Sequence, residues 1–587
     1  MEPRSWFRAG AMGAIVLVFL ALVGLIGRFV DLNLVGESVT FARLVLFAVP
    51  FVVGFAVTRP RIEAGEVRSL DRSDALRAGA IAGAVAGGGL GIVMVLASAV
   101  GFERIRAVFL NVTTDLVEFL SFGQAPAIGA VILTVAAAVA GLLGASIRVT
   151  PPTIRRPIAT AASAILVMGF LQRIVPIALD QMNLERDWLY SKTIGGLTWV
   201  GALAVGAAAA AASIVKARRG TQIRAWVEGS SDDEEGVPPV RWVLLAVIVA
   251  VLLVLPWVVG SVISQVLGTV LIYVLLGLGL NIVVGYAGLL DLGYVFFFAV
   301  GAYATGLLTG AALNTFTGSG PPAVSADLNF YVAIPIVLVI AAATGLLIGA
   351  PVLRLRGDYL ALVTLGLGEM VVVLVASPWF APLVGGPSGM RNVSDAAIGG
   401  FGFRETQHFY YLALAFVLLA LFVSRRLSSS RIGRAWTAMR EDEQTADAMG
   451  VNVTRYKLLA FAMGGAIGSL GGAMFAVQIG SLTPQSFSVQ VSILVLGLVI
   501  LGGMGSLPGV VTGALVLVGL PGLLREFEEY RALAYGAALV AVMILRPQGL
   551  VPNVRRSREL QEEERAQDAW ALQAEEEKQP EAQQVTT

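Results

Sequence analysis

Apolar blocks near the length of a membrane-spanning helix recur along almost the whole chain. A helix needs about 20 mainly apolar residues to cross a hydrocarbon core about 30 Å thick. Blocks of that order lie at roughly 10–27, 41–58, 77–102, 125–147, 157–178 and 193–215. Ten more follow at roughly 242–260, 262–285, 292–312, 331–350, 358–377, 408–424, 457–479, 489–503, 507–524 and 532–546. Lipid offers no partner for unpaired backbone groups, so such blocks fold as helices. The expectation is an all-α, polytopic integral membrane protein with about 16 transmembrane helices, six N-terminal and about ten C-terminal. Only 14% of the residues are charged, against about 25% in soluble domains, too few to cover a water-exposed surface.

The basic residues orient the chain. With a cytoplasmic N-terminus and sixteen crossings, 30 of the 41 Lys and Arg fall inside and 11 outside, as the positive-inside rule requires. The expected topology is N-in/C-in. The first block follows Arg4 and Arg8, but no small-x-small cleavage site succeeds it, and Arg28 and Asp31 end it. It reads as a retained first helix rather than a signal peptide.

Two composition shifts divide the chain. Residues 216–241 are polar and contain Pro238-Pro239, as expected of a charged cytoplasmic linker. It separates a six-helix membrane unit over 1–215 from a second membrane unit over 242–552. Residues 553–587, rich in Glu and Gln, read as a polar cytoplasmic tail, disordered or a solvated helix. In the first unit Gly83, Gly87 and Gly91 stand four apart, which favours close helix packing. Nothing else in that unit carries chemistry.

Several functions are excluded by what the chain lacks. It has no cysteine and one histidine, His408, so it carries no disulfide, Cys-ligated metal or His-rich metal centre, and a His triad finds no support. No catalytic or metal site is expected. A formal charge of +1 gives no reason to expect nucleic-acid binding. No G-x-x-x-x-G-K-[ST] occurs, and there are four lysines in all, so the chain has no recognisable ATPase motor.

The second unit is more informative. Residues 280–304, LNIVVGYAGLLDLGYVFFFAVGAYA, form an apolar run interrupted by Gly285, Gly288 and Gly293, with Asn281 and Asp291 in or beside it. Broken backbone at membrane depth is tolerated where it is buried in protein or lines a wet cavity, and discontinuous helices build transport sites. The alternative is a tight helix–loop–helix in which Asp291 caps the next helix. Arg354 and Arg356 mark a turn, and Glu369 then sits about ten residues into an apolar block. It should face protein or water rather than lipid, in a structural hydrogen bond or in a transport role.

Residues 425–457 form the longest polar stretch between two spans of this unit. Ile432, Ala435, Trp436, Met439, Ala446 and Met449 fall largely at helical spacing, with Gly450 as a helix stop. Such an amphipathic helix either enters a partner's groove or lies on the headgroups. GGAIGSLGG at 464–472 repeats the four-residue glycine spacing, and LGGMGSLPG at 501–509 is a glycine-rich interruption between spans.

Taken in order, NIVVGYAGLLDLGYVFFFAVGAY, LRLRGDYLALVTLGLGE, GGPSGM, SRIGRAWTAMREDEQTADAMGVNVTRYKLLAF, LGGMGSLPGV and RPQGLVP resemble the LivM-type permease subunit of branched-chain amino-acid ABC importers, over about residues 260–550. The resemblance implies a second, LivH-like permease subunit, two cytoplasmic ABC ATPase subunits that hydrolyse the ATP, and an extracytoplasmic substrate-binding protein. It implies no cofactor on this chain, and it implies the cytoplasmic or inner membrane of a prokaryote. The A-x-x-x-G run from Ala446 to Gly450 resembles the coupling helix of ABC importers, although Gln444 and Thr445 replace the first two residues of the usual E-A-A. By resemblance Trp436, Met439, Glu443, Ala446 and Gly450 couple to the ATPases, and Asn281, Gly285, Gly288, Asp291, Gly293 and Glu369 border the translocation pathway. The same architecture carrying urea, a short amide or another small polar solute, and a stand-alone secondary transporter, are the competing readings.

Overall fold

The computed structural model describes residues 3–58, 61–63, 66–68, 71–100, 106, 109, 111–172, 175–181, 184–191, 195–228, 239–310, 328–352, 358–391, 393–398, 401–403, 405–523, 535–536, 539–540 and 548–551. Helices dominate, joined by four short antiparallel strand pairs among the described residues. Nine described helices are long and apolar enough to cross a membrane, and four shorter apolar ones accompany them, at Phe41–Val57, Trp199–Val215, Val295–Thr309 and Leu507–Gly522. The protein is thus a polytopic, all-α membrane protein. Arg354, Arg356, most of the block at 532–546 and the tail at 553–587 lie outside the described residues.

The chain forms two compact units, Met1–Val251 and Leu252–Thr587. The long helices of the first are α1 (Pro3–Leu22), α2 (Phe41–Val57), α3 (Arg72–Val100), α4 (Pro126–Val149), α5 (Pro152–Phe170) and α6 (Trp199–Glu228). Helix α6 carries on through residues 216–228 of the segment read as a linker, and 229–238 lie outside the described residues. The glycine stripe of α3 explains its packing. A methyl group at Gly83 would overlap the Ala137 carbonyl, and one at Gly91 would sit 3.0 Å from Ala130 Cβ. Helices α3 and α4 therefore meet almost backbone to backbone, which suits an environment where dispersion rather than water exclusion drives helix association.

The second unit holds α7 (Pro239–Leu280) from Leu252 onward, α8 (Val295–Thr309), α9 (Phe330–Val352), α10 (Asp358–Ala376), α11 (Thr406–Ser429), α12 (Arg431–Glu441), α13 (Glu443–Ala448), α14 (Val453–Ile479), α15 (Val489–Gly502) and α16 (Leu507–Ala514). Helix α7 leaves helical geometry at Gly260 (φ 78°, ψ 177°), so the runs at 242–260 and 262–285 are two helices meeting at a kink. Pro256 has no N–H, which strips the Leu252 carbonyl of its helical donor. The Tyr410 hydroxyl takes that place at 3.2 Å. The Pro256 carbonyl, at the kink, accepts from Gln407 Nε2 and from Ser264 Oγ, both at 3.4 Å.

Helix α14 is the centre of this unit. Its core residues include Phe461, Met474 and Ala476, all at most 2% exposed. Its glycine repeat receives α8: a methyl at Gly468 would strike the Tyr294 hydroxyl, and one at Gly472 would overlap the Phe298 carbonyl. From α8 the reciprocal glycine, Gly301, lies against the Ser469 backbone.

Candidate translocation and coupling site

The apolar run after α7 widens before it breaks. Residues Asn281–Tyr286 form a π-helical turn, a feature that often marks functional positions because it pushes one backbone group out of register. Gly288 then adopts φ 72°, a left-handed conformation that costs a residue with a Cβ about 1–2 kcal/mol. Five of the residues read from the sequence as pathway residues lie in this break. Asn281 is fully buried, and its Oδ1 accepts the Gly505 N–H at 2.8 Å. Its Nδ2 has no hydrogen-bond partner among the described residues. Gly285 is pressed against the Asn281 side chain and the Gly505 backbone. The glycine-rich interruption at 501–509 is thus bonded to the break in the first helix. Leu550 and Val551 add a further layer, donating to the Leu501 and Gly502 carbonyls at 2.8 and 2.9 Å.

Asp291 is 2% exposed. Its Oδ1 accepts the Gly293 N–H at 2.9 Å, whereas Oδ2 meets no donor at hydrogen-bond geometry among the described residues. Asp291 therefore closes the turn before α8. The first N–H of α8, from Val295, goes to Ser492 Oγ of α15 at 2.8 Å. Gly293 touches the Thr364 backbone of α10, and Thr364 Oγ1 accepts the Leu292 N–H at 3.1 Å. Glu369 stands apart from this cluster. It is exposed on α10 among exposed Leu362, Met370 and Val373, with no ion pair or hydrogen bond within the described residues.

The polar segment after α11 folds as a helical pair. Ser430 caps α12 by accepting from Ile432 and Gly433, and Asp442 caps α13 by accepting from Gln444 and Thr445. Gly450 ends the pair at φ 87°, where a side chain is strained, with open space around it. The buried face is the apolar one. Trp436 is 0% exposed, and its Nε1 donates to the Tyr456 carbonyl at 2.8 Å. Met439 and Ala446 are buried with it in the core of the unit. Trp436, Met439 and Ala446 thus fasten the pair to this chain. What it presents outward is Gln444, Thr445, Asp447, Ala448, Met449 and Gly450, with Met449 81% exposed. Glu443 is half-buried and pairs with the buried Lys457 at 2.7 Å.

Two of these sites meet through a residue that the sequence reading passed over. Arg440 Nη1 of α12 donates to the Gly285 carbonyl at 2.6 Å. The Arg440 stem also fills the place that a side chain at Gly288 would take. The guanidinium completes the π turn by satisfying a carbonyl that the wide turn releases. Its spacing was a signal: Arg440 lies four residues after Trp436, on the same helical face. Lys457, Thr364, Ser492 and Gly505 were also missed, and among them only Lys457 had a signal, as a rare lysine at the start of an apolar block.

Comparison with known proteins follows the same half of the chain. The sequence model of the family described as "Branched-chain amino acid transport system / permease component" matches residues 262–545. The LivM permease protein of the high-affinity branched-chain amino-acid transport system of Escherichia coli (strain K12) is 41% identical over 307 residues, covering 48% of this chain and 68% of that relative. A probable LivM of Methanocaldococcus jannaschii is 26% identical over 317 residues, covering 48% of this chain and 91% of its own length. The E. coli (strain K12) LivH permease protein is 29% identical over 147 residues, 24% of this chain and 46% of that protein. No solved structure matches the chain. The identity to LivM, over more than two thirds of that relative, places the chain in a family: it belongs to the LivM-type branched-chain amino-acid permeases.

Proposed function

We propose that the chain is the LivM-like half of an ATP-driven importer for branched-chain or related hydrophobic amino acids, in the inner membrane of a prokaryote. It crosses the membrane about sixteen times, N-in/C-in, and forms the pathway with a second, LivH-like permease. Two cytoplasmic ATPases dock against residues 431–450, and an extracytoplasmic binding protein supplies the amino acid. ATP is hydrolysed by the partners, and this chain binds no cofactor. The unit over 1–215 enters the complex as an added membrane module.

The observation that carries this reading is the bond from Arg440 to the Gly285 carbonyl. A zwitterion needs its two charges met by dipoles and partners before it leaves water. The broken helix offers backbone groups for that purpose, together with the buried Asn281 Nδ2 and Asp291 Oδ2, which find no hydrogen-bond partner among the described residues. A displacement of α12 and α13 by the ATPases would pull on Arg440 and so on the π turn at 281–286. Transport is then driven by nucleotide-dependent motion of a helix pair that shares a hydrogen bond with the pathway wall.

The test uses the complex purified through the tagged full chain and reconstituted in liposomes. Arg440→Met should leave ATP hydrolysis within about twofold and lower ATP-driven leucine uptake at least tenfold. Undiminished uptake by the variant would overturn the coupling route. A tagged chain that retains no ATPase from its native membranes would overturn the importer itself.

A further inference from the structure

At the end of the second unit away from α12 and α13, a cavity of about 410 Å³ opens among α7, α11, α14 and the loop carrying β1 (Met390–Arg391). Its position follows from the chain path. Helix α11 ends at Ser429, where the helical pair begins, and its first residues, Thr406 and Phe409, line the cavity. Helix α14 starts just after the pair and reaches the cavity with Val477, Gln478 and Ile479. At 1.5 Å per residue, the 27 residues of α14 span about 40 Å. The cavity and the helical pair are therefore on opposite faces of the unit.

The lining is unusual for a membrane protein's surface. Arg391 and Asp395 bring charges of both signs, and Gln265 and Gln478 add amides. Buried Val393, Phe409 and Val477 supply an apolar floor. The volume falls in the range of small-molecule sites, roughly 300–1,000 Å³. The polar groups are held by backbone. Arg391 pairs with Ser481 of β2 (Ser481–Leu482), and the Val393 N–H donates to the Gly480 carbonyl at 3.0 Å. Gly480 closes α14 at φ 69°. Gln478 Nε2 is fixed to α7 through the Gln265 carbonyl and Thr269 Oγ1, both at 3.3 Å.

We propose that this cavity receives an α-amino acid zwitterion with an apolar side chain, on the face where the substrate enters. The Arg391 guanidinium takes the carboxylate, Asp395 takes the ammonium, and the Val393–Phe409–Val477 floor takes the side chain. Arg391 and Asp395 hold partners within the chain, so binding exchanges those contacts for charge-assisted ones to the ligand. The assignment rests on the importer reading above for the direction of transport, and on the cavity itself for the chemistry.

The experiment is equilibrium binding of tritiated L-leucine to the tagged full chain, with the subunits it retains, in lipid nanodiscs washed free of binding protein and nucleotide. Saturable binding is expected. It should be displaced by leucine at least tenfold better than by leucinol, which lacks the carboxylate, or by isocaproate, which lacks the ammonium. Arg391→Gln should weaken leucine at least tenfold while leaving leucinol unchanged, and Asp395→Asn should do the converse with isocaproate. Arg391→Lys should recover most of the leucine affinity, which a fold defect would not allow. Absence of saturable binding of leucine, alanine and glutamine alike would overturn the site, as would equal effects of Arg391→Gln on leucine and leucinol. Selective binding of glutamine with the same charge dependence would support the site and overturn the branched-chain reading instead.

Discussion

Lys457, at the start of α14, places its Nζ 2.7 Å from Glu443 Oε2 at the start of α13. The ammonium is buried and the carboxylate is only partly so, with side chains 7% and 36% exposed. Removing the carboxylate strands a buried cation, whereas removing both charges leaves an apolar contact. Glu443→Gln should therefore destabilise the protein by about 1–3 kcal/mol, less than a fully buried pair because water reaches the glutamate. Lys457→Met with Glu443→Leu should recover most of that loss. Thermal unfolding in detergent reads both, and a double variant no better than the single one would show that the pair is incidental.

The glycines of α14 make a second expectation. A methyl at Gly472 has nowhere to go except into the Phe298 carbonyl, which is backbone and cannot rotate away. Gly472→Ala should separate α8 from α14 and cost about 1–3 kcal/mol, the range for overpacking. Gly366→Ala on α10, where a methyl would meet open space, is the control and should be neutral or mildly stabilising, since alanine favours helix. Equal melting temperatures for the two variants would refute the close-packing account.

Much of this was legible before any coordinates. Spanning helices announce themselves by apolar length, and the glycine spacings of α3 and α14 predicted backbone contact that the structure shows at Gly83 and Gly472. The break at 281–293 was legible because glycines and an aspartate interrupt an apolar run. The direction in which Trp436 points was not. An amphipathic period identifies an apolar face without saying whether it is covered by the chain itself or by a partner, and here the chain covers it. The spacing of Arg440 put it on the Trp436 face, but its acceptor was illegible: it is a backbone carbonyl 155 residues away, and carbonyls leave no trace in a sequence. The Glu443–Lys457 pair joins two helices whose relative placement the sequence does not encode locally. The polar cavity at Arg391 was hidden because its lining comes from four separate segments.

The cap of α13 gives a pH dependence. Asp442 accepts the N–H groups of Thr445 and Gln444 at 3.0 and 2.8 Å. The Thr445 bond above all holds its carboxyl below the ordinary carboxylate range. A lowered pKa means that the folded state favours the charged form, so the cap's contribution is full above the unfolded value, about pH 4. It is lost as pH falls from there through the lowered folded value. Hydrogen exchange at the Gln444 and Thr445 amides, corrected for intrinsic rate, should speed up over that acidic window. Asp442→Asn should flatten the dependence while keeping a cap, because asparagine caps without titrating. The same acid response in the asparagine variant would assign it elsewhere.

Asn281 makes the last prediction, since it joins two breaks far apart in sequence. Its Oδ1 is the acceptor for the Gly505 N–H, and both groups are buried. Asn281→Ala removes the acceptor and leaves a donor unsatisfied, which should cost about 1–3 kcal/mol. The effect should be local first: exchange at the Gly505 amide should accelerate while Leu498 and Val499, one turn inside α15, stay protected. Asn281→Asp keeps the acceptor and removes the Nδ2 donor, so the Gly505 amide should remain slow even though the added carboxylate lowers overall stability. The two variants thus separate local tethering from global stability. If Asn281→Ala left Gly505 as protected as in the parent, the loop at 501–509 would be held by its own turns and by the strand-like contacts of Leu550 and Val551. The π turn and the second break would then move independently.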